Sequence, residues 1–365
     1  MYNQPLNSKK FYNSIDGLRA FCFLIVFLFH YNLKGLELGW SGVTIFFVIS
    51  GFLITEILIK SKTKKYFFRN FYFRRSLRIM PVYLCVIFGV TFCSIIFFKN
   101  HFPDDFLYML TYTQNFLWMS TDFQSDSMLF LAHTWSLAIE EQFYIFWPFL
   151  IYYIPNKHLP KLCILFIILA VGFRIISIRK GYGIYTTSIS IFSQMDILAI
   201  GALLACYNSK LIGGRWFDFL FRYAFHFGIV GIVLVILIIG VNSNVNFLDA
   251  YQLLAKPNNY LHNSFTAQIY LSIGFVSIGL IYYCINTRYY LINAILSNSV
   301  ICHFGKISYG LYLYHWPIYV ILNGRIHNRL LFIFIGFLAT YIVSLLSFIL
   351  IEKKFNLLKA RFEYK

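Results

Sequence analysis

The chain has 365 residues, of which 59% are hydrophobic and 12% charged, with a mean hydropathy of +0.67. A soluble domain carries about 25% charged residues, so half that share, set among long apolar runs, excludes a soluble globular protein and indicates a polytopic membrane protein. The net charge of +17 does not point to nucleic acid, because the cations collect in alternate loops, which is the positive-inside pattern of membrane proteins.

The polar N-terminus carries Lys9 and Lys10 and leads into IDGLRAFCFLIVFLFH, residues 15–30. No small-residue cleavage site follows it. Tyr31-Asn32-Leu33-Lys34 reads as a membrane exit, so this segment is expected to remain as the first span. A span needs roughly 20 apolar residues. On that basis ten are expected, at about 14–33, 40–59, 79–98, 134–154, 162–178, 184–207, 227–242, 266–286, 305–323 and 330–351. The loop KSKTKKYFFRNFYFRRSLR (60–78) alone holds eight Lys and Arg. Placing it inside puts the loops 155–161, 208–226 and 287–304, the tail and both termini in the cytoplasm.

The expected fold class is therefore all-α: a polytopic transmembrane helical bundle of about ten transmembrane helices, forming one domain over residues 1–365 in the plasma (inner) membrane. The longest external segment, about 99–133, contains Asp104, Asp105, Asp122 and Asp126. It also holds an apolar patch, FLYMLTYTQNFLWM, that reads as a re-entrant or surface helix. Cys22, Cys85, Cys93, Cys163, Cys206, Cys284 and Cys302 form no Cys-x-x-Cys and read as small apolar residues.

Ionisable groups inside a membrane are costly unless paired or solvated, which makes them functional candidates. Arg19 and His30 are eleven residues apart, about three helical turns plus 20°, so they share one helix face roughly 16 Å apart along the axis. Asp16 lies one turn before Arg19 on nearly the same side. In HTWSLAIEEQFY (133–144), His133, Leu137, Glu140 and Tyr144 fall at helical spacings of 4, 3 and 4. In SYGLYLYHWP (308–317), Ser308, Tyr312 and His315, with Tyr319 beyond, repeat that stripe. Pro317 is expected to kink this helix. Arg75 and Arg78, three apart and just before Pro81, read as arginines near a helix start that suit a phosphate-rich ligand. Each stripe also has a plainer reading: a histidine bonded for packing, a glutamate facing water, or arginines that set topology and hold anionic lipid.

Other chemistry has no motif here: no Gly-x-Ser-x-Gly, no phosphate-binding loop, no His-Glu-x-x-His, and no His-x4-Asp at any of the nine histidines. Asp104-Asp105 only faintly echoes a metal-binding acidic pair, and no metal site is expected.

Taken together the chain resembles acyltransferase family 3. The matching stretches, in order, are IDGLRAFCFLIVFLFH, GVTIFFVISGFLIT (42–55), RRSLRIMPVY (74–83), HTWSLAIEEQFYIFWP (133–148), MDILAIGALLA (195–205), GKISYGLYLYHWPI (305–318) and IEKKF (351–355). The resemblance implies a ten-helix bundle that moves an acyl group, usually acetyl, from cytoplasmic acetyl-CoA. The acceptor is a hydroxyl of a surface polysaccharide such as lipopolysaccharide, capsule or exopolysaccharide, or of a lipid-linked precursor. The family's Arg-x10-His maps onto Arg19 and His30, and its Arg-x-x-Arg onto Arg75 and Arg78, which are expected at the CoA phosphates with Arg19. Its Trp-Ser-Leu-x-x-Glu maps onto Trp135, Ser136, Leu137 and Glu140. The late Ser-Tyr and His-Trp-Pro map onto Ser308, Tyr309, His315, Trp316 and Pro317.

These readings give an expected mechanism. His30 is the general base for the acceptor hydroxyl, or alternatively a transient acyl carrier, with Glu140 orienting it and Asp16 fixing Arg19. Tyr309, Tyr312 or His315 would donate to the thioester oxyanion. His133, Trp135, Ser136, Tyr144 and Tyr312 are the candidate substrate-binding residues.

The sequence departs from the family pattern in places. Gln194 stands where an arginine often precedes the aspartate at position 196, which argues against an ion pair there. Thr44 replaces a frequent acidic residue, and Glu352-Lys353-Lys354 replaces Glu-x-Pro. The expected partners are acetyl-CoA, a glycan or lipid-linked glycan and membrane lipids, with no extracellular esterase-like extension. Acylation of a small molecule or lipid, and a proton-coupled transporter or flippase, are the rival readings.

Overall fold

The computed structural model describes residues 8–98, 105–121, 128–256, 263–286 and 288–362, and every regular element among them is helical. In chain order the α-helices are α1 (Ser8–His30), α2 (Ser41–Ser61), α3 (Phe67–Phe98), α4 (Phe106–Leu110), α5 (Gln114–Ser120), α6 (Met128–Leu131), α7 (Trp135–Tyr153), α8 (Leu159–Arg179) and α9 (Ile184–Ser188). They continue as α10 (Ile191–Asn208), α11 (Arg215–Ser243), α12 (Phe247–Leu253), α13 (Ile269–Ile285), α14 (Tyr290–Leu296), α15 (Ser299–Lys306), α16 (Ser308–Leu322), α17 (Arg329–Ser347) and α18 (Lys353–Leu358). A π-helical turn, Phe348–Glu352, joins α17 to α18.

Among the described residues, seven helical stretches are long and apolar enough to cross a membrane, or eight if α13 and α14 are counted as one broken span. The chain is a multi-pass membrane protein. Three of the ten expected spans are not among the seven, for physical reasons. α16 has 15 residues, about 22 Å at 1.5 Å per residue against a hydrocarbon core of about 30 Å. α7 carries Glu140, Glu141 and Gln142 in its first half. The α13 segment has only 17 residues by itself.

The backbone forms two compact units, residues 1–59 with 149–306 and residues 60–148 with 307–365. In the first, α1 ends at His30, directly before the expected exit at Tyr31 to Lys34. Asn32 adopts a left-handed φ of 55°. Its N–H reaches the Phe29 carbonyl at 2.9 Å, and that of Leu33 reaches the Leu28 carbonyl at 3.0 Å. This closure satisfies carbonyls that a helix end leaves open, and asparagine tolerates the left-handed turn it needs. Asn244 closes α11 in the same way. α11 starts at Arg215, so most of the loop expected over 208–226 is helix.

α10 is buried along nearly its whole length and packs on α8 and α13. Its contact with α2 is a reciprocal glycine crossing. A Cβ on Gly51 would lie 2.1 Å from the Leu198 carbonyl, and one on Gly201 2.1 Å from that of Val48. α1 meets α14 and α15 as closely, since a Cβ on Gly17 would lie 2.0 Å from the Leu296 carbonyl oxygen. Small residues let membrane helices approach to backbone contact.

One expectation is overturned in this unit. Asp196 is ion-paired, but with Arg174 of α8. Both side chains are wholly buried, and Nη1 donates to Oδ1 at 3.0 Å. Gln268 also accepts from Arg174 Nη2 at 3.1 Å. A charge in this setting persists only when paired and hydrogen-bonded. The partner comes from another helix rather than from two residues upstream.

In the second unit, α16 packs on α3, α6 and α17, and α18 with the turn after it packs on α3. The apolar patch of 106–119 folds as α4 and α5, with Trp118 fully buried and its indole N–H donating to Asp105 at 3.2 Å. Asp104, Asp122 and Asp126 lie outside the described residues.

Candidate active site

In the second unit α3 runs unbroken from Phe67 through Pro81. Arg75 and Arg78 therefore lie in the body of a helix, not near its start, and can meet an anion only with their guanidinium groups. The continuous helix sets Arg74, Arg75 and Arg78 along about one turn, all half-buried. The Arg75 guanidinium lies over the Tyr144 ring, 4.8 Å from its centroid, a cation–π contact that joins α3 to α7. Tyr72 adds a second link, donating to the Ile145 carbonyl at 2.6 Å. Glu141, one atom of which is fully buried, is within electrostatic reach of Arg75 and of Glu140. Tyr309 of α16 donates to the Ile79 carbonyl at 2.8 Å, just past Arg78.

A second polar group joins the start of α7 to α16. Ser136 Oγ and the Tyr312 hydroxyl are 2.7 Å apart. Both reach the His133 carbonyl, Ser136 at 3.1 Å and Tyr312 at 3.0 Å. His133 Nε2 is 3.2 Å from the Leu313 carbonyl, and His315 Nδ1 is 2.6 Å from that of Tyr312. A carbonyl only accepts, so each of these ring nitrogens carries its proton. The two imidazoles stand edge to face, 5.2 Å between centroids. His133 is not on the α7 stripe: it sits in a 3-10 turn, Ala132–Thr134, and α7 begins at Trp135. The spacing from 133 to 144 is therefore not helical at its first step, and the contact with α16 rather than the stripe fixes this ring.

The structure thus brings His133, Ser136, Tyr312 and His315 into one network and sets Arg75 against Tyr144. Glu140 is half-buried within electrostatic reach of Tyr312, and Trp135 is half-buried at the first position of α7. Asp16, Arg19 and His30 belong to the first unit. Arg19 Nη1 is 3.8 Å from Asp16 Oδ1, one turn apart, and His30 is the last, half-buried residue of α1.

Several residues here are not evident from the sequence motifs. Tyr83 and Tyr112 stack with ring centroids 4.3 Å apart. Gln114 donates to the Tyr83 hydroxyl at 3.2 Å, and Gln142 to the Tyr112 carbonyl at 2.8 Å and to Asn115 at 2.7 Å. These amides tie α5 to α3 and α7. Lys359, near the chain's end, lies within electrostatic reach of Arg74, Arg75 and Arg78. Among the described residues no cluster of three or more His, Cys, Asp or Glu is placed to hold a metal ion.

The family model described as Acyltransferase domain, Acyl_transf_3, matches residues 12–349. The chain belongs to acyltransferase family 3. It is 28% identical over 331 residues to O-acetyltransferase OatA of Staphylococcus aureus strain NCTC 8325, covering 88% of this chain and 53% of OatA. OatA of strain COL matches equally. "Putative O-acetyltransferase SACOL0978" of S. aureus strain COL is 27% identical over 368 residues, covering 94% of this chain and 57% of its own. The chain therefore spans about half the length of the curated relatives it matches. No solved structure matches it.

Proposed function

We propose that this protein is a membrane O-acetyltransferase that moves an acetyl group from acetyl-CoA to a hydroxyl of a cell-surface polysaccharide or its lipid-linked precursor. Family membership and the O-acetyltransferase names of its relatives support the reaction class. The observation that carries the donor is the row of cations on α3, Arg74, Arg75 and Arg78, because CoA is an extended molecule with phosphates at one end and a thioester at the other. Guanidinium groups hold phosphate oxygens through forked donors. In this reading the protein lies in the plasma (inner) membrane with both termini cytoplasmic, where acetyl-CoA is found.

In the reaction, the acceptor hydroxyl oxygen attacks the thioester carbonyl carbon. Its proton passes to a ring nitrogen of His30 as the carbon–oxygen bond forms. The carbon–sulfur bond then breaks, and the proton goes on to the sulfur, so an ester and free CoA thiol leave. Arg19, held by Asp16 on the same helix as His30, would add to the hold on the donor. Tyr309 would stabilise the oxyanion by turning its hydroxyl away from the Ile79 carbonyl to which it donates here.

The test is incorporation of radiolabelled acetyl from acetyl-CoA into glycan acceptors by the purified protein, paired with deletion in the native host. Base-labile acetyl on lipopolysaccharide, capsule or exopolysaccharide should appear in the assay and vanish in the deletion strain. Unaltered O-acetyl content with no incorporation would remove the reading. Label found only on a lipid or a small molecule would remove the polysaccharide acceptor.

A further inference from the structure

The chain's last described turn returns to α3 and is fastened there at two adjacent residues. Phe362 stacks on Phe73 at 4.6 Å with the rings nearly parallel, an interplanar angle of 4°. Arg74 Nη1 donates to the Lys359 and Phe362 carbonyls, both at 3.4 Å. The side chain of Lys359, half-buried, donates to Asn356 Oδ1 one turn earlier. We propose that Lys359 completes a phosphate-binding site with Arg75 and Arg78, the returning turn supplying the third cation for the phosphates of the acyl donor. This rests on the acetyl-CoA reading above and adds to it a residue that none of the sequence motifs contains.

Charge is the main argument. The charges of Arg74, Arg75 and Arg78 all act on Lys359, as does the opposite charge of Glu352. Glu352 is buried, its Oε1 placed 3.3 Å from where a Cβ of Gly310 would lie. The three guanidinium groups repel the Lys359 ammonium, and half-burial weakens the screening that water would give. A di- or polyphosphate relieves that repulsion on arrival. The division of labour also fits. Arg74 is occupied with the tail's carbonyls. Arg75 has its face on Tyr144, which leaves its edge donors for oxygens. Lys359 adds a compact ammonium to the guanidinium forks. A phosphate headgroup of an anionic lipid has the same chemistry, so the test separates the two sources.

The test compares Lys359→Ala with Lys354→Ala, which removes a cation from an exposed position of the same tail. Both proteins are placed in phosphatidylcholine nanodiscs. Losing one charge-assisted hydrogen bond should raise the apparent KM for acetyl-CoA about tenfold in Lys359→Ala. Its kcat should change little, and Lys354→Ala should match wild type. Should Lys359→Ala fold poorly, Lys359→Arg against Lys359→Gln makes the same comparison: arginine retains affinity and glutamine loses it. Equal KM in the Lys359 and Lys354 variants overturns the proposal. So does a defect that appears only when phosphatidylglycerol is added, which would assign the cluster to a headgroup. Arg75→Ala with Arg78→Ala tells the failures apart. If that pair loses acetyl-CoA affinity and Lys359→Ala does not, the tail's role falls alone. If neither does, the donor reading falls with it.

Discussion

Arg174 and Asp196 form an ion pair with no solvent exposure on either side chain, Nη1 standing 3.0 Å from Oδ1. It fastens α8 to α10, the most enclosed helix of the first unit. Removing one partner strands a buried charge, which costs about 3–5 kcal/mol, whereas replacing both by apolar groups of similar volume is often nearly neutral. Arg174→Met should therefore lower the melting temperature in detergent sharply, and Arg174→Met with Asp196→Leu should restore most of the loss. If the double variant is as unstable as the single, the pair contributes through its geometry rather than through its charges.

Gly17 tests the backbone crossing between α1 and α14. Its Cβ would fall 2.0 Å from the Leu296 carbonyl oxygen, so Gly17→Ala must push the two helices apart. Overpacking of this kind costs roughly 1–3 kcal/mol. Gly172→Ala on α8 meets nothing within 4 Å and should hold or raise stability by up to about 1 kcal/mol through helix propensity. Equal melting temperatures for the two variants would show that the close approach at Gly17 has no energetic weight.

The hydroxyl pair of Ser136 and Tyr312 is expected to hold structure rather than carry out the reaction. Each group is engaged with the other and with the His133 carbonyl, and among the described residues no imidazole nitrogen is hydrogen-bonded to Ser136 Oγ to activate it. Tyr312→Phe should destabilise by about 1–3 kcal/mol, the cost of buried partners left unmatched. A double-mutant cycle with Ser136→Ala should give a coupling above about 0.5 kcal/mol, with activity per folded molecule close to wild type. Complete loss of activity in well-folded Ser136→Ala would turn this residue into a nucleophile candidate.

His30→Ala should reduce acetyl transfer by about 10²- to 10⁴-fold, the usual contribution of a general base, with little change in folded yield because the side chain is only half-buried at a helix end. Acetyl incorporation measured beside size-exclusion profiles decides the matter. Near-normal turnover would end the assignment of the base.

The helices themselves were legible because their apolar runs are long. The exit after His30 could be anticipated for a reason the structure makes concrete, since Asn32 is one of the few residue types that accept a left-handed turn. Where the sequence misled, tertiary contacts were the cause. Cations and aromatic rings over 67–78 carry no apolar period, so the extension of α3 back to Phe67 had no signal, and Arg75 and Arg78 read as a helix start. The partner of Asp196 sits 22 residues upstream on another helix, beyond any local motif. His133 matched a helical spacing by coincidence, while its position is set by a carbonyl of α16. Lys359 belongs to the basic cluster only because the chain doubles back, which no run of residues around it announces.

The π-helical turn at Phe348–Glu352 bears on how that doubling back is aimed. A bond from each N–H to the fifth preceding carbonyl inserts one more residue per turn than the helix before it, so everything downstream is rotated by roughly 100° from where a uniform rod would point it. Glu352 thereby faces inward while Lys353 and Lys354 face out. Deleting one of its apolar residues, Phe348 to Ile351, would leave the net charge untouched yet swing the Lys359 ammonium round to another side. One widened coil thus acts as an angular setting for the end of the molecule.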